Sequence, residues 1–210
     1  TMIYPQTVDG AQVSLAYHYD STGNLDVVEQ DIGGGGSFWM RVYDLQRMDA
    51  VGRRRHVKLG SYSQIDQQHI HDRASTRLRA IKTGPDMGSS RQNYSYAWDK
   101  TGNLLQRQDL RQGISEDFSY DEQNRLLTAR RNGVQSLAMS YDPAGRIRSK
   151  SDVGTYSYGA AHPGAVGAVS GGPAGTQSFG YDANGNMTSR NGQTLSWNAA
   201  QLPKRINHTG

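Results

Sequence analysis

Trp98-Asp99-Lys100-Thr101-Gly102-Asn103-Leu104 is followed by Tyr120-Asp121-Glu122-Gln123-Asn124-Arg125-Leu126 and then by Tyr141-Asp142-Pro143-Ala144-Gly145-Arg146-Ile147, in steps of 22 and 21 residues. A period in the twenties marks a repeat architecture, in which one supersecondary unit cannot bury its own apolar face and must stack on its neighbours. Each phrase reads as a β-hairpin corner. The aromatic ends a strand, Asp bonds its own backbone as an Asx-turn, Gly or Asn three places later supplies a positive φ, and Leu or Ile opens the return strand. Upstream, Tyr94, Tyr96 and Trp98, then Phe118 and Tyr120, then Met139 and Tyr141 alternate along the chain. Alternation is the strand period, so each set lies on one face of a sheet. The pattern predicts positive φ at Gly102, Gly145 and Gly185, and an aromatic row of Trp98, Tyr120 and Tyr141 across adjacent hairpins.

Outward from this block the phrase recurs. Ile3-Tyr4-Pro5 through Val13 to Tyr19 reads as two strands joined at Asp9-Gly10, and Tyr19-Asp20-Ser21-Thr22-Gly23-Asn24-Leu25 is the first clear copy. Gly33-Gly34-Gly35-Gly36-Ser37 reads as a flexible tip or linker and matches common engineered linkers. Phe38 and Trp39 resume the strand pattern. Met48-Asp49-Ala50-Val51-Gly52-Arg53 replaces the aromatic, and His71-Asp72-Arg73-Ala74-Ser75-Thr76-Arg77-Leu78 carries one extra turn residue and no Gly. Tyr156 and Tyr158 make a further strand pair, whereas the small residues of 162–175 read as a long loop. Tyr181-Asp182-Ala183-Asn184-Gly185-Asn186-Met187 restores the phrase 40 residues after Tyr141, and Trp197-Asn198-Ala199-Ala200-Gln201-Leu202-Pro203, with Leu195 upstream, is a shortened last copy. Residues 1–210 are thus expected to form a single repeat region, clearest over 94–147.

Composition agrees with an all-β chain. Only 35% of the 210 residues are apolar while Gly numbers 25, which fits many short strands joined by turns better than helices around a compact interior. Tyr contributes 12 aromatics against 3 Trp and 3 Phe, so amphipathic rings stand in for part of a Leu/Ile core. The absence of Cys excludes a disulfide framework and any thiolate ligand or nucleophile. Thr1-Met2-Ile3-Tyr4-Pro5 lacks the charged and apolar regions of a signal peptide, and no apolar run approaches a membrane span. The net charge of +4 is mild and is concentrated in Arg53-Arg54-Arg55-His56-Val57-Lys58.

The Tyr-Asp-x-x-Gly-Asn-Leu or Met copies at 19–25 and 181–187, Trp-Asp-Lys-Thr-Gly-Asn-Leu at 98–104, Tyr-Asp-x-x-Gly-Arg-Ile at 141–147 and Trp-Asn-x-x-x-Leu-Pro at 197–203 resemble the YD-repeat, or RHS-repeat, family. The resemblance covers nearly the whole chain. Members of the family include bacterial polymorphic toxins, the C components of insecticidal toxin complexes, and teneurins. The resemblance implies long strands spiralling into a hollow barrel-like shell that, in the toxins, encloses a toxic C-terminal domain before delivery. Localisation is implied likewise: secreted, or delivered by a bacterial secretion system. The toxin families follow their repeats with an aspartyl self-cleavage site in an Asp-Pro-x-Gly context. Asp142-Pro143-Ala144-Gly145 has those letters but lies inside an ordinary repeat turn with more repeat after it, and reads as a turn.

The candidates for chemistry are weighed against that background. His69 and His71, beside Asp72, share a strand face as metal ligands would, but they stand where Tyr17 and Tyr19 stand in another copy and read as replaced aromatics. The Asp residues recur at one turn offset, where a local backbone bond accounts for each without a substrate. Gly33 to Gly36 and Gly171-Gly172 lack a following Lys-Ser/Thr and make no phosphate cradle. Asn93, Asn186 and Asn207 open glycosylation sequons, which count only in a eukaryotic source. The basic run over 53–58 has no interleaved aromatic and reads as a solvated or cargo-facing strand, not a nucleic-acid surface. The expectation is an antiparallel hairpin array, a section of a larger shell. It has no catalytic, cofactor-binding or metal-binding residues, and its partners are the rest of that shell and an enclosed cargo domain. The alternative is a carbohydrate- or cell-surface-binding module stacking sugars on Trp39, Trp98 or Trp197.

Overall fold

The computed structural model describes residues 2–3, 13–31, 38–60, 64–159 and 161–208. The Asp9-Gly10 turn and the Gly33–Ser37 linker lie outside them. The described residues form strands β1 (Met2–Ile3), β2 (Ser14–Tyr19), β3 (Leu25–Asp31), β4 (Trp39–Met48), β5 (Arg54–Leu59), β6 (Ile65–His71), β7 (Leu78–Gly84), β8 (Gln92–Trp98), β9 (Leu104–Asp109) and β10 (Ile114–Tyr120). They continue with β11 (Leu126–Arg131), β12 (Val134–Tyr141), β13 (Ile147–Lys150), β14 (Gly154–Tyr158), β15 (Val166–Ser170), β16 (Gln177–Tyr181), β17 (Met187–Arg190), β18 (Gln193–Trp197) and β19 (Pro203–His208). A single 3₁₀ turn, Pro85–Met87, interrupts them among the described residues. The chain divides into two compact units, Thr1–Glu116 and Asp117–Gly210, and the same repeat runs through each.

In both units a strand pairs antiparallel with the next one in the chain, from β2 with β3 to β8 with β9 and from β11 with β12 to β18 with β19. The aromatic that closes one strand lies opposite the residue that opens the next: Tyr19 faces Leu25, Trp98 faces Leu104, Tyr141 faces Ile147 and Tyr181 faces Met187. His71 faces Leu78 in the same way, as its place in the phrase predicts. The register slips by one residue just before each of these aromatics, a bulge that adds local twist where the turn begins. At the opposite hairpin ends, Asn132-Gly133 and Asn191-Gly192 have positive φ at both residues, the two-residue turn whose twist matches paired strands.

The apolar interior is as thin as the composition requires. Val27, Val28, Val57 and Val169 are the buried apolar residues among those described, and Val57 alone is sealed, at 1% exposure. Backbone ladders and polar contacts between turns therefore supply much of the order.

One stretch departs from its sequence reading. Within 162–175, Val166–Ser170 is not loop but strand β15, paired with β14 and β16, and Val169 is buried. Small residues here permit close approach: a Cβ on Gly172 would sit 1.7 Å from the Val153 carbonyl oxygen. Tyr158 faces Val166 as Tyr141 faces Ile147, so a further copy, with a long turn lacking Asp, fills the interval between Tyr141 and Tyr181.

Candidate functional site

The chemistry-bearing side chains converge on the hairpin corners. Asp20 Oδ1 accepts the backbone N–H of Thr22 at 2.8 Å and of Asn24 at 2.9 Å, while its own N–H reaches the Asn24 carbonyl at 2.9 Å. The same closure recurs at Asp49, Asp99, Asp121, Asp142, Asp182 and, with an amide in place of the carboxylate, Asn198. Asp72 closes its longer turn through Ala74, Ser75 and Arg77. The residue that must turn left has positive φ in every case: Gly23, Gly52, Gly102, Gly145 and Gly185, then Asn124, Thr76 and Gln201. The Gly102, Gly145 and Gly185 expectation holds, with φ of 110°, 84° and 85°.

Except at Asp72, the second oxygen of each corner carboxylate engages the residue four places on. Arg53, Arg125 and Arg146 donate Nε to Asp49, Asp121 and Asp142 at 2.8, 2.7 and 2.6 Å, and Asn103 and Asn186 donate Nδ2 to Asp99 and Asp182 at 2.8 and 2.9 Å. These carboxyls sit below their ordinary range. Asp20 is pushed down to about 2, chiefly by the Thr22 hydroxyl and then the Asn24 N–H. At Asp142 burial works the other way, but the Arg146 side chain and N–H overcome it. A carboxylate so fully bonded is a poor proton shuttle. Asp142-Pro143-Ala144-Gly145 is one of these turns, with Gly145 N–H on the Asp142 carbonyl at 2.9 Å.

The rings do not form the expected direct row. Tyr120 and Tyr141 stand on β10 and β12 with β11 between them, and the group stacked on Tyr141 is Arg125, its guanidinium carbon 4.5 Å from the ring centroid. Arg146 stacks on Tyr158 at the same distance. Each hydroxyl or indole N–H reaches instead to the opening carbonyl of the preceding strand: Trp98 to Leu78, Tyr141 to Leu126, Tyr158 to Ile147, Tyr181 to Val166 and Trp197 to Met187, at 2.7–3.0 Å. The spacing between like rings spans two strands, too far for cross-strand contact, so a cation and a carbonyl occupy the interval. In the first unit arginines also cross between turns, Arg53 donating to the Thr76 carbonyl and Arg77 to those of Asp99 and Lys100.

The remaining candidates are local as well. His71 Nδ1 receives Arg55 Nη1 at 3.0 Å, and the pKa of the ring is lowered by burial and then by Arg53 and Arg55. His69 is also lowered, mainly by burial, and its Nδ1 is buried without a partner. The basic run is only partly a solvated strand: Val57 is sealed, His56 Nε2 lies 2.6 Å from the buried Asp66, and Arg53 is tied into its turn. Asn93 lies on β8 with its Oδ1 buried, and Asn186 is committed to Asp182. Alternation did not reveal the contribution of Arg47 and Arg73, which flank two successive turns and line a cavity between them with Arg53, Arg55 and His71. Their signal was an Arg within two residues of each turn Asp.

The sequence pattern of the family described as Teneurin YD-shell matches residues 48–200, most of the chain, from the second of these corners into the last. The chain belongs to the Teneurin YD-shell family. No curated protein matches it. Among solved structures, the YD-shell chain is similar to the crystal structure of TcdB2-TccC3-Cdc42, with a TM-score of 0.59 and 15% identity over 95% of this chain and 12% of the other. It is similar to a mutant Photorhabdus luminescens Tc holotoxin pore at a TM-score of 0.59 and 15% identity, over 95% and 11%, and to TcdB2-TccC3-TEV at 0.60 and 16%, over 95% and 12%. The chain therefore spans about an eighth of the length of these structures or less. The shared fold is the antiparallel hairpin array of an RHS shell.

Proposed function

We propose that this YD-shell chain is a section of the wall of a larger shell, itself non-catalytic, which encloses a toxic C-terminal domain of its parent protein. The observation that supports this reading is the use of the turn carboxylates. Eight corners spend their Asp or Asn on closing a hairpin, and the neighbouring Arg and aromatic groups spend their donors on the adjacent strand or turn. Such a surface favours continuity over turnover. Its mechanism is steric: a closed wall keeps proteases and partners from the segment within. The family likeness supports a secreted protein, with release by a bacterial secretion system as the finer form of the proposal. The sugar-stacking alternative gains nothing from Trp98 and Trp197, whose indoles are half-buried and donate to backbone carbonyls.

Limited proteolysis of the full-length parent tests the wall. The segment downstream of the repeats should survive while the wall is intact, and should be digested faster when Gly145→Val and Gly185→Val are combined. Equal digestion rates in both proteins would overturn the proposal.

A further inference from the structure

The hollow between the second and third turns of the first unit, about 220 Å³, is lined by Arg47, Arg53, Arg55, Arg73 and His71 together with Asp49 and Asp72. Its donors and acceptors do not balance. Asp49 Oδ1 is filled by the N–H groups of Val51 and Arg53, and its Oδ2 by Arg53 Nε. Asp72 Oδ1 is filled by Ala74, Ser75 and the Ser75 hydroxyl. Arg55 Nη1 can only donate, so His71 Nδ1 is the lone-pair nitrogen and Nε2 carries the ring proton. Among the described residues, neither Arg47 nor Arg73 has an acidic partner. Four guanidiniums against two carboxylates leave a charge of +2, and the surplus hydrogen-bonding capacity is mostly N–H, with Asp72 Oδ2 as the remaining carboxylate acceptor.

We infer that this hollow is a binding site for a small tetrahedral oxyanion of the phosphate type, with Arg47 and Arg73 as its principal ligands and Arg53 and Arg55, steadied by Asp49, as a fixed floor. Guanidinium N–H groups match phosphate oxygens in pairs and keep their charge at any physiological pH. The hollow has room for one such group, and no Phe, Tyr or Trp lines it to stack on a sugar ring. The site does not depend on the shell reading, since it needs only the two turns.

Calorimetric titration of the chain with inorganic phosphate at fixed ionic strength tests the assignment, with phosphoserine in a second arm to tell a free anion from an ester. Wild type should show saturable binding of one anion. Arg47→Gln with Arg73→Gln should weaken it about tenfold or more, with the circular dichroism spectrum unchanged because neither side chain supports the fold. Arg131→Gln, on β11, should leave binding as it was. Preference for phosphoserine would assign the site to an esterified group. No saturable binding in either arm, or the same loss from Arg131→Gln, would overturn the inference.

Discussion

Asp20, Asp99 and Asp182 each hold two backbone N–H groups through one oxygen and the residue four places on through the other, so a single side chain fixes the corner. The Gly of the phrase has the complementary task. A Cβ at Gly185 would meet nothing within 4 Å, so Gly185→Val tests backbone strain alone, and should cost about 1–3 kcal/mol in chemical denaturation. Gly185→Asn should cost less, because Asn124 holds the same place at φ 61°. Equal, negligible losses for Val, Asn and Lys100→Ala would show that the turns are slack. Acid should act on the same atoms. A carboxyl with a depressed folded pKa stabilises above its unfolded value and loses that contribution as pH falls through the folded one. For Asp20 the window runs from 3.8 to about 2. Urea midpoints should fall through that range, and Thr22→Val should shift the loss upward in pH. A loss centred near neutrality would point to the histidines instead. These corners were legible in the sequence because the contacts that close each of them are local. His71 was legible too, by its place in the phrase.

Strands join by a rule that no single phrase displays. Tyr141 donates to Leu126, and Arg125, one residue before Leu126, covers the Tyr141 ring while holding Asp121. The element is thus a triad drawn from two successive copies. Tyr141→Phe should cost about 0.5–1.5 kcal/mol, and Arg125→Gln a comparable amount through the lost cation–π contact and ion pair. In a double-mutant cycle with Tyr141→Leu, Arg125→Gln should be non-additive by about 0.5 kcal/mol or more. Strict additivity would mean that the stacking contributes nothing. Aromatic alternation placed the rings on strand ends but not their partners, since like rings recur only every second strand. Strand β15 was hidden for another reason. Gly167 and Ala168 have little side-chain signature, and the close approach at Gly172 that permits pairing is visible only in three dimensions.

On the scale of the whole chain, β19 is the most exposed strand among the described residues. Residues 201–207 are all exposed, with Leu202 at 60% and Ile206 at 64%, although the strand pairs with β18 along its length. Exposed apolar strands recruit other strands. The isolated chain should therefore associate as its concentration rises, and Ile206→Lys should suppress that association in a light-scattering dilution series. A wild type that stays monomeric throughout would remove β19 as a docking edge. The cavity at Arg47 and Arg73 was not legible at this scale, because its lining comes from turns whose spacing in the chain says nothing of the charge they bring together.

The five hydroxyl and indole clasps described above run backward, from an aromatic to a carbonyl made 10 to 20 residues earlier. Synthesis on a ribosome proceeds in the same direction, so each copy, as it emerges, finds its acceptor already in place. The nascent chain can lock up in order from its first turn, with short loops to close at every step. Stalled chains extended by a linker so that Tyr158 has cleared the ribosome should already protect β11 to β13 from hydrogen exchange, whereas an all-or-none transition at full length would contradict vectorial assembly.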